Sequence, residues 1–577
     1  MTTENISRRA FISSVLAGLP LLASAQPSPS PAGTIWSNAA AWEALKHQVG
    51  GRLIVPIAPW AELKSGPVSS DLMNPWFLEE HAGATQSTGM HGAWTSTVSR
   101  YAVAAENVQD IVTTVNFARQ HRIRLVIKGT GHDYFGRSCA PDSLLVWTHR
   151  LRDVMYHSEF RPHGSPEGEK PVRAVSVSAG NRWLEAYQAA TTAGCYIQGG
   201  GCTSVGACGG FALGGGFGSY SKKFGSGAGG VLELEVVTAD GRVLVANRYQ
   251  HEDLYWALRG GGGGTFGIVT RMTLLGHDMP STDGWISGTV SAKSDQAYVE
   301  LIERYLAFAG RDLCNGNWGE GVLFPQGRNA IEVGTAFLDL SVAQARAVWE
   351  SFLAPLRARA LDFQVDLQFS LKPFKDKWSP RAQPNGVIMD NRPGATPGYF
   401  WWKGNDIEVG AYWANYQGRG VPLAAMQGVN AAVLARAVFE ASRDSLVLFQ
   451  TNKGLAGQPE ESLARDLTTS MNPAVFSNAG FFTLGSWQQY KYVGVTGHEP
   501  DTVLAAREAL AVDRAMKVIR EATPRGGSYT NEGGYFEENW REEFWGANYS
   551  RLLAIKKKFD PTNLFRVHNG VGSELSY

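Results

Sequence analysis

The chain has 577 residues, 44% hydrophobic and 18% charged, which places it among globular proteins long enough for more than one core. Lysine plus arginine and aspartate plus glutamate both number 53, so the formal net charge is zero. That balance, with no basic run, excludes an electrostatic arm for nucleic acid.

Ser7-Arg8-Arg9-Ala10-Phe11-Ile12, an apolar run over residues 15–23 and the small-residue pattern Ala23-Ser24-Ala25 form a twin-arginine-type signal peptide over residues 1–25. An ordinary secretory signal with an incidental arginine pair is the alternative. In both, the run is too short to cross a bilayer. No later stretch is long enough, so an exported product, periplasmic or extracellular, with no membrane span in its mature form is expected. Cys139, Cys195, Cys202, Cys208 and Cys314 are an odd set, which leaves at least one outside an intramolecular disulfide. Their spacing is not that of a zinc site and no metal is expected.

Residues 26–95 form an N-terminal segment with several prolines and little periodicity. Tyr101-Ala102-Val103 then reads as a strand, residues 107–121 as an amphipathic helix and Leu125-Val126-Ile127-Lys128 as a buried strand. The chain next enters Lys128-Gly129-Thr130-Gly131-His132-Asp133-Tyr134-Phe135-Gly136-Arg137-Ser138, a turn whose backbone N–H groups suit a diphosphate. It contains neither Gly-x-Gly-x-x-Gly nor the Gly-Lys-Ser/Thr of a P-loop, so Rossmann and Walker readings are unsupported.

Strands over residues 143–147 and 172–178 and a helix over 180–193 lead to residues 199–218, where ten of twenty positions are glycine. Glycines there cannot build a core, and their benefit is close approach of backbone to a ligand. Beyond them, residues 231–238 alternate with period two, Ala239-Asp240-Gly241-Arg242 makes a hairpin turn, and a short helix from Asp253 runs into the cluster at residues 260–264. Such alternation predicts an α+β domain. Farther on, strands such as residues 330–340 mix with helices such as 341–356 and 425–443. Tyr399-Phe400-Trp401-Trp402 and Tyr412-Trp413 with Tyr416 read as sheet packing, with Glu408, Gly410 and Tyr412 alternating outward, in preference to an aromatic substrate wall.

The residues from Val103 to Leu275 resemble the FAD-binding domain of the vanillyl-alcohol oxidase superfamily, in its berberine-bridge-enzyme-like branch. Lys128-Gly129-Thr130-Gly131-His132-Asp133 matches that branch's first phosphate loop, with His132 in the slot of the histidine bonded to the flavin 8α carbon. Cys202-Thr203-Ser204-Val205-Gly206 matches its Cys-Pro-Thr-Val-Gly loop, with Cys202 in the slot of the cysteine bonded to flavin C6. The segments at 253–261 and Gly267-Ile268-Val269 match further signatures. Tyr529-Thr530-Asn531-Glu532, Phe544-Trp545-Gly546-Ala547-Asn548 and Asp560-Pro561-Thr562-Asn563-Leu564-Phe565 resemble its C-terminal module, and the ending looks closest to isoamyl-alcohol-oxidase-like members.

The resemblance implies an α+β fold. A two-part PCMH-type FAD-binding domain occupies residues 96–280, and a substrate domain of antiparallel sheet flanked by helices occupies 281–510. A C-terminal module over 511–577 covers the flavin. It implies FAD held bicovalently by His132 and Cys202, with mono-covalent attachment through His132 as the alternative. The remaining cofactor contacts it implies are Lys128, Gly129, Thr130, Gly131, Asp133, Arg137, Ser138, Val205, Gly206, Gly210, Gly214, Gly267, Ile268, Val269 and Asn548.

Two departures stand out. The stretch from Cys202 to Gly214 is one residue longer than in plant members and admits Cys208 as a rival flavin ligand. Phe217 occupies the position of a tyrosine proposed as base in some members, and phenylalanine accepts no proton. Tyr529 is therefore the leading base or substrate-positioning group, with Asn531 beside it. Tyr220 and Glu532 are weaker candidates, Glu532 with a surface role preferred. A free phenol with a pKa near ~10 needs a neighbouring cation or the flavin's field to act as a base.

The expected activity is an oxidase that removes hydride from a C–H beside a hydroxyl of an alcohol or sugar. Its partners are then a small-molecule substrate and dioxygen, with peroxide as product. Oxidative cyclisation or C–C bond formation on the same fold, and a non-catalytic secreted binding protein, are the alternatives. Substrate identity, base and oligomeric state are not legible in the sequence.

Overall fold

Three strands pair in parallel to carry the first glycine turn: Tyr101–Ala104, Ser143–Trp147 and Arg124–Lys128, with Leu53–Ile54 added antiparallel at the far edge. Parallel neighbours need a crossover, and helix Val108–His121 supplies it. Asn107 caps that helix by accepting from the Asp110 amide at 3.0 Å, and Ile111, Val115 and Ala118 bury its inner stripe. The chain leaves the helix through Arg122, in the left-handed region at φ 53°. The turn at residues 129–138 thereby lies at the carboxyl end of a parallel strand, where α/β sheets bind ligands. The computed structural model describes residues 35–63, 66–383 and 385–575, so the expected signal segment lies outside the described residues.

A second, antiparallel sheet runs Val243–Asn247, Val231–Val237, Ile268–Asp278, Val172–Ser178 and Val154–Phe160. The hairpin expected at residues 239–242 is present, with Val237 opposite Val243. Ile268–Asp278 continues past its neighbours, and its end pairs with Cys195–Ile197, Gly276 facing Ile197. That pairing anchors the glycine loop at residues 199–218.

The third sheet has nine strands in the order Phe363–Pro373, Thr282–Ala292, Ala330–Phe337, Trp318–Phe324, Val447–Gln450, Asn478–Gln488, Tyr412–Pro422, Gly89–Met90 and Trp94–Thr95. Helices Asp295–Phe308, Val342–Arg357, Val429–Asp444 and Thr502–Ala522 cover one face, with Leu301, Trp349, Leu434 and Met516 in a common core. A sheet with one face covered has the other free to line a site. Two boundaries differ from expectation. The N-terminal segment is not a bystander, because residues 89–95 complete this sheet. Helix Thr502–Ala522 crosses the expected division at 510/511, because Val512, Ala515, Met516 and Ile519 belong to the same core as the sheet.

Arg182, at the start of helix Trp183–Thr192, ties the N-terminal segment to the FAD-binding part. Its guanidinium pairs with Glu79, both side chains fully buried, and reaches Glu185 Oε1 at 3.3 Å. Removing one member of a buried pair leaves an uncompensated charge, which costs about 3–5 kcal/mol. Arg182→Ala is therefore expected to lower unfolding stability by that amount in urea titration, and an unchanged midpoint would refute the pairing's role.

Candidate active site

The turn at residues 129–138, the glycine loop and the uncovered face of the nine-stranded sheet enclose one cavity of about 1320 Å³. That exceeds the ~300–1,000 Å³ usual for small-molecule sites and leaves room for two ligands side by side. Trp285, Glu320, Gln450, Thr483 and Trp487 line it from the sheet. Trp285, Gln450, Thr483 and Trp487 stand on the face opposite the helices, as the period-two alternation dictates, whereas Glu320 shares its parity with the core residues Trp318 and Val322 and reaches the cavity from a left-handed backbone at φ 56°.

His132 and Cys202 meet at the wall of this cavity. His132 Nδ1 lies 2.7 Å from Glu408 Oε1, and its Nε2 lies 3.0 Å from Ser204 Oγ. Cys202 Sγ is 3.6 Å from the same hydroxyl. One ligand atom each from His132, Cys202 and Glu408 fall within 4.8 Å of one another. The His132 and Glu408 side chains are 5% and 8% exposed, so this pair is as dry as a core contact. Burial pushes the Cys202 thiol up to about 12, Glu408 adds to the rise, and the Ser204 hydroxyl and the Ser204 and Val205 amides oppose it. Cys202 is consequently a thiol at neutral pH. Burial raises the Cys208 thiol as well. Cys208 also lines the cavity, but only Cys202 shares the His132 hydrogen-bond chain. All five cysteines are free.

Most of the cofactor residues expected from sequence border the same cavity: Gly129, Thr130, Gly131, Asp133, Arg137, Ser138, Val205, Gly206, Gly210, Gly267, Ile268 and Val269. Among the described residues no protein acceptor takes the backbone N–H of Thr130, Gly131, His132 or Asp133, nor of Gly209 or Gly210. Ser138 Oγ is buried without a partner. Three residues depart from expectation. Lys128 borders the cavity, but its ammonium points elsewhere, donating to the carbonyls of His81, Ala82 and Ala84 at 2.9, 2.6 and 2.6 Å. Burial pulls its pKa down to about 7, while three carbonyl acceptors favour the form with three donors. Gly214 is off the cavity wall. A Cβ there would sit 2.7 Å from Asn531 Nδ2, so this glycine admits the C-terminal module. Asn548 donates to the Met471 carbonyl at 2.8 Å and also lies off the wall.

The expected catalytic residues separate similarly. Tyr529 and Asn531 border the cavity. The Tyr529 phenol donates to the Phe211 carbonyl at 3.3 Å and accepts from Asn531 Nδ2, which also donates to the Gly210 carbonyl. Tyr220 does not reach the cavity, because it is fully buried with its phenol on Asp283. Glu532, for which a surface role was preferred, instead pairs with Lys453 on the cavity wall. Glu408 is likewise not an outward sheet residue. It sits in the turn before strand Tyr412–Pro422 and turns inward to His132. The aromatic run divides: Tyr412 packs against Ala505, whereas Trp413 and Tyr416 line the cavity. Sequence reasoning missed Ser204, Glu408, Lys453 and Tyr416 as site residues. The remaining signal for Ser204 was its place inside the Cys202 loop.

Residues 99–247 match the family model described as FAD binding domain, and residues 528–572 match berberine and berberine like. The chain is 31% identical to the FAD-linked oxidoreductase ZEB1 of Gibberella zeae over 97% of its length and 96% of that protein. It is 31% identical to the VAO-type flavoprotein oxidase VAO615 of Thermothelomyces thermophilus over 82% of this chain and 76% of that protein. The chain is a berberine-bridge-enzyme-like FAD-linked oxidoreductase of the VAO type. The crystal structure of VAO-type flavoprotein MtVAO615 from Myceliophthora thermophila C1 aligns with this oxidoreductase at 27% identity and a TM-score of 0.77, covering 95% and 97% of the two chains.

The residues of this oxidoreductase fit FAD. Unpartnered amides in two loops and the orphaned Ser138 hydroxyl offer donors to a diphosphate, and the two side chains nucleophilic enough to bond a flavin stand together. Asp133 and Arg137 lock the first loop. The Asp133 carboxylate accepts from the Arg137 amide and guanidinium at 2.6 and 2.7 Å, and Arg137 donates onward to the Thr530 carbonyl at 3.2 Å. Arg137→Ala should cost about 1–3 kcal/mol by stranding these partners. The expected readout is a lower Tm that Arg137→Lys partly restores; equal Tm values for all three proteins would exclude the clasp.

Proposed function

We propose that the protein is an exported FAD-dependent oxidase that removes hydride from a C–H beside a hydroxyl of an alcohol or sugar, with FAD attached to both His132 and Cys202. The observation that carries this reading is the convergence of those two side chains at one wall of a cavity whose opposite wall is a polar, aromatic sheet face. The word oxidase in the name of the relative VAO615 supports dioxygen as acceptor and peroxide as product, and Ser7-Arg8-Arg9-Ala10-Phe11-Ile12 supports export. FAD when bound supplies hydride acceptance and reoxidation by dioxygen.

The chain's own part is orientation and proton handling. Trp413 meets Tyr134 edge to face, and Tyr134 stacks on Tyr416 with ring centroids 4.6 Å apart, which gives the substrate side a rigid aromatic wall. Burial first, then the charge of Glu532, raises the Tyr416 phenol well above its ordinary value and keeps it protonated. In this reading Tyr416 takes up the proton of the substrate hydroxyl, and Glu532, which lines the same cavity, is the carboxylate that receives it. Lys453 holds the carboxylate in place. Tyr529 is less suited to this task, because its phenol already serves Phe211 and Asn531. It and Asn531 fasten the glycine loop.

General-base groups contribute roughly 10²–10⁴-fold. Tyr416→Phe and Glu532→Gln should each lower kcat by that order with flavin retained, and Tyr529→Phe should lower it less; the reverse ranking would return the base to Tyr529. Acid precipitation tests the cofactor. Yellow colour in the pellet is expected, lost only in the His132→Ala/Cys202→Ala double variant, and colour in the supernatant of the unaltered protein would end the covalent reading. Peroxide release across alcohols and oligosaccharides then tests the substrate class.

A further inference from the structure

We infer that Glu408, His132, Ser204 and Cys202 form a hydrogen-bonded relay through which the chain attaches its own FAD, Glu408 accepting the proton of His132 and Ser204 carrying the proton of Cys202. This rests on the bicovalent reading above. An ionised carboxylate only accepts, so the 2.7 Å contact places the imidazole proton on Nδ1. Nε2 is then a lone pair, and the Ser204 hydroxyl at 3.0 Å donates to it. The Ser204 oxygen is left to accept from the Cys202 thiol at 3.6 Å. This tautomer is assigned from the hydrogen-bond network.

Glu408, His132 and Cys202 line the cavity, while Ser204 is fully buried and does not, so the partner of Nδ1 borders the space a flavin would enter and the partner of Nε2 does not. Glu408 is also the only carboxylate within hydrogen-bond reach of His132 among the described residues.

Each bond has a defined balance. At His132, an Nδ1–H and one C–H of the flavin 8-methyl break and an Nδ1–C bond forms. At Cys202, an S–H and the ring C6–H break and an S–C bond forms. Each event leaves two electrons on the ring, which pass to dioxygen, and the two protons released complete one hydrogen peroxide. Neither nucleophile can react while it holds its proton, so each needs an acceptor in place. Glu408 accepts directly from Nδ1. The thiol, buried and protonated at rest, has a route through Ser204 to Nε2, which stays a lone pair after Nδ1 is bonded. Glu408 is thus a positioning residue for His132, and Ser204 one for Cys202.

The test uses full-length protein made in riboflavin-starved cells, supplied with FAD in air and sampled over time, with flavin on the His132 and Cys202 peptides quantified by mass spectrometry. In Glu408→Gln, attachment at His132 should slow at least ~10²-fold while Cys202 changes far less, and Glu408→Asp should recover part of the His132 rate. In Ser204→Ala the selectivity should invert, with Cys202 slowed and His132 little changed. Normal His132 attachment in Glu408→Gln, or equal slowing of both bonds in every variant, would overturn the relay. Should Glu408→Gln not fold, Glu408→Asp carries the decision: slowing confined to His132 supports the relay and unaltered kinetics overturns it. Absence of flavin from His132 in the unaltered protein would instead defeat the bicovalent reading, a separate result.

Discussion

The contact between His132 and Glu408 joins the two halves of this oxidoreductase at the point where its chemistry is expected. His132 comes from a turn at the end of a parallel strand, Glu408 from the approach to strand Tyr412–Pro422 of the nine-stranded sheet. A charged or polar pair this dry is tolerated only if both members are satisfied. The relative placement of the FAD-binding part and the sheet is thereby linked to one hydrogen bond. Other buried polar ties share the duty. Arg182 with Glu79 and Lys128 with the carbonyls of residues 81–84 fix the N-terminal segment, and that segment adds its own strands to the far sheet. None of these ties is needed to make a hydrophobic core. They set where the two cores stand with respect to the cavity.

The C-terminal module closes the other side by the same means. Asn531 binds the Gly210 carbonyl and the Tyr529 phenol, Trp545 Nε1 donates to the Gly260 carbonyl at 3.0 Å, and the Lys556 ammonium, fully buried, reaches the carbonyls of Thr265 and Phe565. Carbonyls of the glycine-rich loops thus take side-chain donors from the end of the chain. The glycines permit this approach as well as any approach by cofactor. Gly214 is the clear case, since its missing Cβ is replaced by the Asn531 amide.

Much of this was legible in the sequence, for definite reasons. Strand Arg124–Lys128, helix Val108–His121 and hairpin Val231–Asn247 announce themselves through local periodicity and turn chemistry, and His132 and Cys202 lie in motifs whose members are adjacent in the chain. What was not legible is non-local. Glu408 is 276 residues from His132, inside an aromatic run whose alternation looks like ordinary sheet. Glu532 follows the Tyr529 motif directly, but its partner Lys453 comes from another strand end. The N-terminal segment showed little pattern because Gly89–Met90 and Trp94–Thr95 are too short to display a period, yet their pairing completes the nine-stranded sheet. Tyr220 shows the opposite error, a chemically plausible side chain that the fold buries on Asp283, so that Asp283 and not the phenol borders the cavity.

The two sides of the site differ in their electrostatics. Burial first, and then the Glu408 carboxylate, raise the Cys202 thiol. That arrangement keeps the thiol protonated, the form less open to oxidation. Across the cavity, Lys453 offsets Glu532, so that carboxylate is already balanced by a cation. Two carboxylates in one cavity therefore have different surroundings, one alone beside an imidazole and one paired with an ammonium. Such a division suits one group to a single bond-forming event and the other to repeated proton transfer, and it arises from which strand ends the nine-stranded sheet brings to the cavity.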